Sequence, residues 1–361
     1  MTQLGEQRFC VWDAADPGQE ALWVEFWKTM PNTEVSAHPG YVKRFIEHGE
    51  RALCAAMTTE KGERIMLPFV LRPIESLDGL GPLADICSPY GYGGPWTWGS
   101  EHHIPTVRFW QEFDTWARAH SVVSQFIRFS LDAGVEADFP GIVRARTNNI
   151  VVSLAPTEEF LWTGFEHKVR KNVNKARRSG ITVSMDESGD SLDDFLRIYA
   201  ETMRRRDADA GYYFPREFFE AINSELAGQY VYANALLDGE VVSTELVLVS
   251  GDTIYSFLGG TSEHAFKFRP NDLLKFEVML WAKARGKSRF VLGGGASPGD
   301  GIERYKRCFA PTGVVEFRTG ELIVAPDEFQ KLVDRRKSDF SVADKAWPSQ
   351  SDYFPAYRMP L

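Results

Sequence analysis

Two stretches of the chain repeat one order of elements, and this duplication limits the possible folds more than any single motif does. From Arg51, RALCAAMTTEKGERIMLPFVLRP reads as two apolar runs joined by a turn containing Lys61-Gly62, a β-hairpin pattern. From Tyr230, YVYANALLDGEVVSTELVLVSGD repeats it with Asp238-Gly239 at the turn, a dipeptide suited to the positive φ angles of a two-residue hairpin loop. After the first hairpin come a short run to Ser88, a Gly/Pro-rich loop, a helical stretch over residues 105–119 and a strand over 122–131. After the second come a strand at 253–258, a Gly-Gly turn with a polar loop, a helix opened by Pro270-Asn271 and another short β run.

Helices lead each half. Residues 20–27 and 41–48 are the candidates in the first. In the second, Phe165, Val169 and Val173 form a stripe whose helix stops at Ser179-Gly180, and ITVSM reads as a strand. Ser191 then caps a helix that turns Phe195, Ile198, Tyr199 and Thr202 inward. The expectation is an α/β fold built on mixed sheets, in two tandem domains at 1–150 and 151–319. The tail from Gly320 is rich in aromatics, as expected of a segment that docks on the body.

Composition bounds the class. With 361 residues, 43% hydrophobic and 25% charged, the chain reads as a globular protein large enough for two domains. The start, MTQLGEQRFCVWDAADPG, lacks a signal pattern, and no run reaches the roughly 20 apolar residues of a membrane span. A cytoplasmic protein without a transmembrane segment is expected. Cys10, Cys54, Cys87 and Cys308 show neither disulfide nor zinc-ligand spacing, so reduced thiols and no metal are expected. The net charge of -9 argues against a protein that coats nucleic acid non-specifically, while leaving room for a local basic groove, and no DNA partner is expected.

No nucleophile elbow, Walker loop, metalloprotease helix or dinucleotide fingerprint is present, which disfavours covalent or metal chemistry. Three basic clusters remain. Lys168, Arg170, Lys171, Lys175, Arg177 and Arg178 crowd one helix without interleaved acids, as either a phosphate-contacting or a solvated face. Arg204-Arg205-Arg206 end a helix, and an inward Arg205 ahead of Tyr212-Tyr213-Phe214 suits an anion site, or else an ion pair with an acid such as Glu217. Arg304-Tyr305-Lys306-Arg307 follow a Gly-rich loop, as a ligand-covering segment or an exposed turn. On the helix after Pro270, a wheel of about 100° per residue puts Glu277 within an apolar face and Lys275 opposite, so Glu277 is expected to be a buried structural or catalytic acid.

The SPYGYGGP loop, HKVRKNVNKARRSGITV, TMRRRDADAGYYF, RPNDLLKFEVMLWAKARG and LGGG followed by ERYKRCF together resemble the Fem family of non-ribosomal peptidyltransferases and FemAB-like proteins of the GNAT superfamily. That resemblance implies two tandem GNAT-like domains, with residues 320–361 returning to the first. It implies transfer of an amino acid from aminoacyl-tRNA to an amine of a peptidoglycan precursor or a small antibiotic-like metabolite, with no permanently bound cofactor. It makes Thr202, Arg205, Tyr212 or Tyr213, and Tyr255 or Phe257 acceptor-binding residues. Tyr305 and Lys306 become the aromatic-lysine pair at the transfer site, and Lys43 in HPGYVKRF the lysine that holds precursor phosphate. Charged tRNA is the expected partner, with Lys168, Arg170, Lys171, Lys175, Arg304 and Arg307 as its phosphate contacts.

Amine attack on an activated ester needs alignment and oxyanion stabilisation rather than an enzyme nucleophile; Lys306 is the expected stabiliser and Glu277 one candidate base. The alternative is an acyl-CoA-dependent N- or O-acyltransferase, using acetyl-CoA or acyl-CoA. Against it, the loop before Asn271 lacks the glycine pattern that holds a pyrophosphate at a helix N-terminus. A non-enzymatic scaffold is a third reading and the least favoured, since a scaffold has no need to gather Arg205 and Lys306 near one face.

Overall fold

In the computed structural model, which describes residues 8–75, 81–295, 297–349 and 351–361, the chain forms two compact units. One comprises Met1–Met30, Ser36–Arg146 and Phe317–Leu361; the other comprises Pro31–Val35 and Thr147–Glu316.

The first unit begins with β1 (Arg8–Asp13), α1 (Pro17–Lys28) and the short α2 (Pro39–Val42). Asp16 starts α1 by accepting the amides of Gly18 and Gln19 at 2.8 and 3.0 Å, where a carboxylate also meets the positive end of the helix. The helix expected over 41–48 is shorter than that: α2 gives way to a 3-10 turn, Lys43–Phe45. The Arg51 hairpin forms as β2 (Arg51–Thr58) and β3 (Arg64–Ile74), followed by β4 (Leu83–Cys87), the short β5 (Trp96–Trp98), α3 (Val107–Ala119) and β6 (Val122–Arg128). The sheet runs β1-β2-β3-β4-β6. Its neighbours are antiparallel except β4 and β6, and α3 supplies the crossover that a parallel pair requires. Leu53, Phe69, Phe109, Phe113 and Ile127 fill the layer between sheet and helix.

The second unit repeats this order. It contains β7 (Ile142–Ser153) from Thr147 onward, α4 (Glu158–Gly164), α5 (His167–Arg178), β8 (Thr182–Asp186), α6 (Leu192–Arg206), α7 (Arg216–Glu225), β9 (Tyr230–Leu237), β10 (Glu240–Val249), β11 (Thr253–Thr261), α8 (Pro270–Ala284), β12 (Arg289–Gly293) and α9 (Gly301–Arg307). Asp238 and Gly239 join β9 to β10 with φ of 51° and 84°, as the dipeptide suggested. Ser191 occupies the cap position of α6, but its hydroxyl donates to Asp186 at 2.6 Å instead of capping the helix. The sheet order is β7-β12-β11-β10-β9-β8, with β11 and β12 parallel across α8. Strands β8 to β12 therefore correspond in order and sense to β1, β2, β3, β4 and β6.

Each sheet takes its last strand from the far side of the other unit in sequence. β7 precedes the second unit's helices and pairs with β12, whereas β13 (Val314–Ile323) follows them and pairs antiparallel with β6. After α10 (Pro326–Val342) the aromatic tail packs on the first unit. The Tyr357 hydroxyl donates to buried Asp85 at 3.0 Å, and Arg358 reaches the same carboxylate at 2.6 Å. Among the described residues, no helix is long and apolar enough to cross a membrane.

Candidate active site

The sheet of the second unit separates the candidate residues. Directly opposed residues of an antiparallel pair project to the same side, and successive residues alternate. Thr244 is paired with Gly260 and Glu245 with Gly259, so Gly260 and Glu245 face opposite ways. A Cβ on Gly260 would lie 2.2 Å from Thr202 Oγ1. Only glycine lets α6 approach that closely, and the contact buries Thr202 beneath the helix. On the Glu245 side lies α8.

Here the structure places an ion pair in an otherwise apolar layer. Lys275 of α8 contacts Glu245 of β10, with side chains 8% and 5% exposed. The Ser256 hydroxyl on β11 donates to Glu245 and accepts from Lys275 Nζ at 2.9 Å. The other Glu245 oxygen, Oε2, is buried without a hydrogen-bond partner. A buried pair of this kind recovers its desolvation cost only with good geometry, and it is weak evidence of stabilisation.

The same side of the sheet carries α9. Asp300 starts this helix by accepting the amides of Ile302 and Glu303 at 2.8 and 2.7 Å. The segment Arg304–Arg307, expected as a ligand-covering segment or an exposed turn after the Gly-rich loop, thus lies in a short helix. Half-buried Lys306 projects from it and donates to the Gly294 carbonyl at 2.7 Å. Burial and the Lys275 cation push the Lys306 amine down from its ordinary 10.5, Glu245 and Asp300 push it back up, and it settles at about 8. The neighbouring Tyr305 hydroxyl accepts from Asn271 at 2.9 Å, and burial, with the Asp272 and Glu245 carboxylates, raises it well above the ordinary tyrosine range. Asp272 in the first turn of α8 is buried and bonded to Asn172 at 3.0 Å; its burial raises its carboxyl. The arrangement offers an amine, held on a backbone carbonyl, that is able to exchange a proton near neutral pH.

Several expectations change. Glu277 is not buried in the apolar face: it is about one-third exposed and bonds Arg177 of α5 at 2.9 Å, and Lys275 is the buried charge. The wheel misassigned the faces because α8 packs on more than one side. Leu273, Leu274, Phe276, Val278, Met279 and Ala282 are all buried, so its apolar residues define no single stripe.

Arg205 does not share a face with Lys306. It extends from α6, donates to the Thr261 carbonyl at 3.1 Å, pairs with Glu201 at 3.5 Å and lies 4.8 Å from the Phe266 ring. Its acid is therefore the i−4 residue of its own helix, not Glu217. Tyr255 donates to Glu34 at 2.8 Å and Phe257 stacks near Phe218, while Tyr212 and Tyr213 are exposed. Lys43 belongs to the first unit and pairs with Glu20 at 2.8 Å. On α5, Lys168, Lys171 and Lys175 are exposed, whereas Arg170 folds back onto the Thr163 and Phe165 carbonyls. Arg304 donates to the Gly299 carbonyl, and Arg307 is exposed.

Glu245 and Lys275 were missed as a site. A signal existed for Glu245, the one charge within the apolar strand VVSTELVLV, whereas Lys275 shares its helix with Asp272, Glu277 and Lys283 and does not stand out.

An acetyltransferase (GNAT) domain model matches residues 164–307, the span that holds this cluster and ends just beyond Lys306. A UDP-N-acetylmuramoylpentapeptide-lysine N(6)-alanyltransferase of Weissella viridescens is 22% identical over 340 residues, 88% of this chain and 97% of that protein. Among solved structures, FemX aligns with a TM-score of 0.67 at 14% identity, over 86% of this chain and 97% of that one. L-PGS from Bacillus licheniformis aligns with a TM-score of 0.53 at 15% identity, over 88% and 94%. Together with the repeated strand order, these likenesses bear out the resemblance carried by the sequence motifs: residues 164–307 match a GNAT domain, and the chain is similar over most of its length to the Weissella alanyltransferase in sequence and to FemX in fold.

Proposed function

We propose that the chain transfers an aminoacyl group from aminoacyl-tRNA to an amine of a peptidoglycan precursor. The observation that carries this reading is Lys306: a half-buried amine held on a backbone carbonyl, with its proton affinity brought close to neutral pH. The acceptor amine attacks the ester carbonyl, the N–C bond forms and the C–O bond to the tRNA ribose breaks. Lys306, as the ammonium, stabilises the tetrahedral oxyanion and delivers a proton to the departing oxygen. The proton left on the attacking nitrogen passes through water and restores the ammonium.

Two observations favour tRNA over acyl-CoA as donor. Asp272 places a buried carboxyl in the first turn of α8, where a CoA pyrophosphate would need amide donors and no competing acid. Exposed Lys168, Lys171 and Lys175 on α5 suit a polyanionic donor. The likeness to the Weissella enzyme supports a cell-wall peptide as acceptor.

The test supplies the purified protein with UDP-N-acetylmuramoylpentapeptide and either labelled aminoacyl-tRNA or labelled acetyl-CoA, and follows label on the peptide. Transfer from tRNA alone is expected; transfer from the thioester alone overturns the donor assignment.

A further inference from the structure

The cations of α5 fall into two sets. Arg170 turns back onto the Thr163 and Phe165 carbonyls, and Arg177 bonds Glu277 of α8 at 2.9 Å. Lys168, Lys171, Lys175 and Arg178 are exposed, and among the described residues none has an acid within ion-pair distance. Buried Asp272 senses Lys168, but its carboxylate is bonded to Asn172 at 3.0 Å. At about 100° per residue the four uncommitted side chains share an arc of about 80°, on the side away from Val169, Val173 and Ala176, which the core buries. Each lies three or four residues from the next, the spacing at which like charges repel. The chain as a whole carries a net charge of -9, yet no acid interrupts this stripe. A face that keeps such repulsion suits an anion supplied from outside.

The shape of that anion follows from the stripe. At about 1.5 Å per residue it is about 15 Å long, and one strand of a double helix presents a phosphate every ~3.4 Å of axis, about four over that length. No aromatic side chain lies in α5 to stack an unpaired base, the usual means of holding a single strand. Its apolar face is buried in the core, so the helix has nothing to insert into a lipid surface. The Glu166 amide, just ahead of α5, donates to the Cys308 carbonyl at 2.9 Å, two residues beyond Lys306. The stripe therefore starts beside the end of α9 and extends from there, much as the stem of a tRNA extends from its unpaired, esterified 3′ end.

With aminoacyl-tRNA as the donor, the reading on which this rests, we propose that Lys168, Lys171, Lys175 and Arg178 dock the backbone of the paired acceptor stem, meeting about four consecutive phosphates of one strand. Contacts to phosphate carry no base sequence. The stripe sets where the RNA lies and how tightly it is held, not which tRNA is chosen.

The probe is an uncharged RNA hairpin with the acceptor stem and unpaired 3′ end of a tRNA, titrated with the full-length protein by fluorescence anisotropy over a salt series. Each of Lys168→Gln, Lys171→Gln, Lys175→Gln and Arg178→Gln is expected to flatten the slope of log K against log salt by about 0.7–0.9, and the quadruple variant by about 3. Arg177→Gln removes the same charge from the same helix and is expected to leave the slope unchanged, because that guanidinium is committed to Glu277. All of these positions are exposed and glutamine is a good helix former, so the fold is retained.

Equal slopes in the wild type and the quadruple variant overturn the proposal. A loss in Arg177→Gln matching that in Lys171→Gln also overturns it, since the effect would then be one of net charge. So does a quadruple variant that loses binding to phosphatidylglycerol vesicles and keeps binding to the hairpin, because the stripe would then face a membrane. If the hairpin docks through the stripe while nothing is transferred from aminoacyl-tRNA, the stripe stands and the proposed function falls. If sub-saturating aminoacyl-tRNA serves the quadruple variant as well as the wild type, the function stands and the stripe falls.

Discussion

The two units share a strand order and a crossover helix, yet their crossover layers differ. Between α3 and its sheet the contacts are apolar, with Phe109, Trp110, Phe113 and Ala117 against Leu53, Leu67 and Phe69. Between α8 and its sheet, the same architecture accommodates Lys275, Glu245 and Ser256. The first unit shows that the fold does not need a charge at this layer. The second therefore carries its ion pair for a reason other than the architecture itself.

The sharpest test of the contrast is Lys306→Ala, which should lower kcat by about 10²–10³-fold, the scale of losing one oxyanion-stabilising group, while thermal unfolding shows no loss of stability. Equal melting loss with full turnover would make the second unit as inert as the first. Next, Phe113→Ala in the first unit should cost about 3–5 kcal/mol in denaturant titrations, as a cavity in a dry core. Lys275→Met should cost a similar amount, about 3–5 kcal/mol, through the carboxylate it leaves unpaired. Only the second loss should be recovered by a compensating change, Glu245→Gln; recovery of the first by any single polar swap would erase the distinction.

A smaller effect depends on pH. The folded-state pKa of Lys306 lies below its ordinary value, so the cost of its charge is fully present below about 8 and is relieved as pH rises from there toward 10.5. Lys306→Met should therefore raise the melting temperature at pH 7 by more than at pH 10. Smallest of all, Glu277→Gln, which breaks the partly exposed pair with Arg177, should cost under about 1 kcal/mol. A loss of several kcal/mol there would restore Glu277 to the interior.

Much of the fold was legible because it is written in local chemistry. Asp238-Gly239 specifies its turn by backbone conformation, Gly180 ends α5, and the Val169–Val173 stripe faces one layer only. The strand exchange of β7 and β13 was not legible, because pairing partners far apart in sequence leave no periodic trace. The site was half-legible for the same reason. Lys306 and Tyr305 follow from a motif, but the partnership of Glu245 with Lys275 joins two stretches that become neighbours only once the sheet has formed. A wheel drawn for α8 alone could not tell which of its packed sides would meet a carboxylate.

The discontinuous make-up of the first unit bears on how the polypeptide is made. Everything the second sheet requires has left the ribosome once residue 316 is out, whereas β6 has no neighbour on its outer edge until β13 emerges. The nascent chain thus carries an open strand through the synthesis of about half its length, and the later-made module is the first able to close.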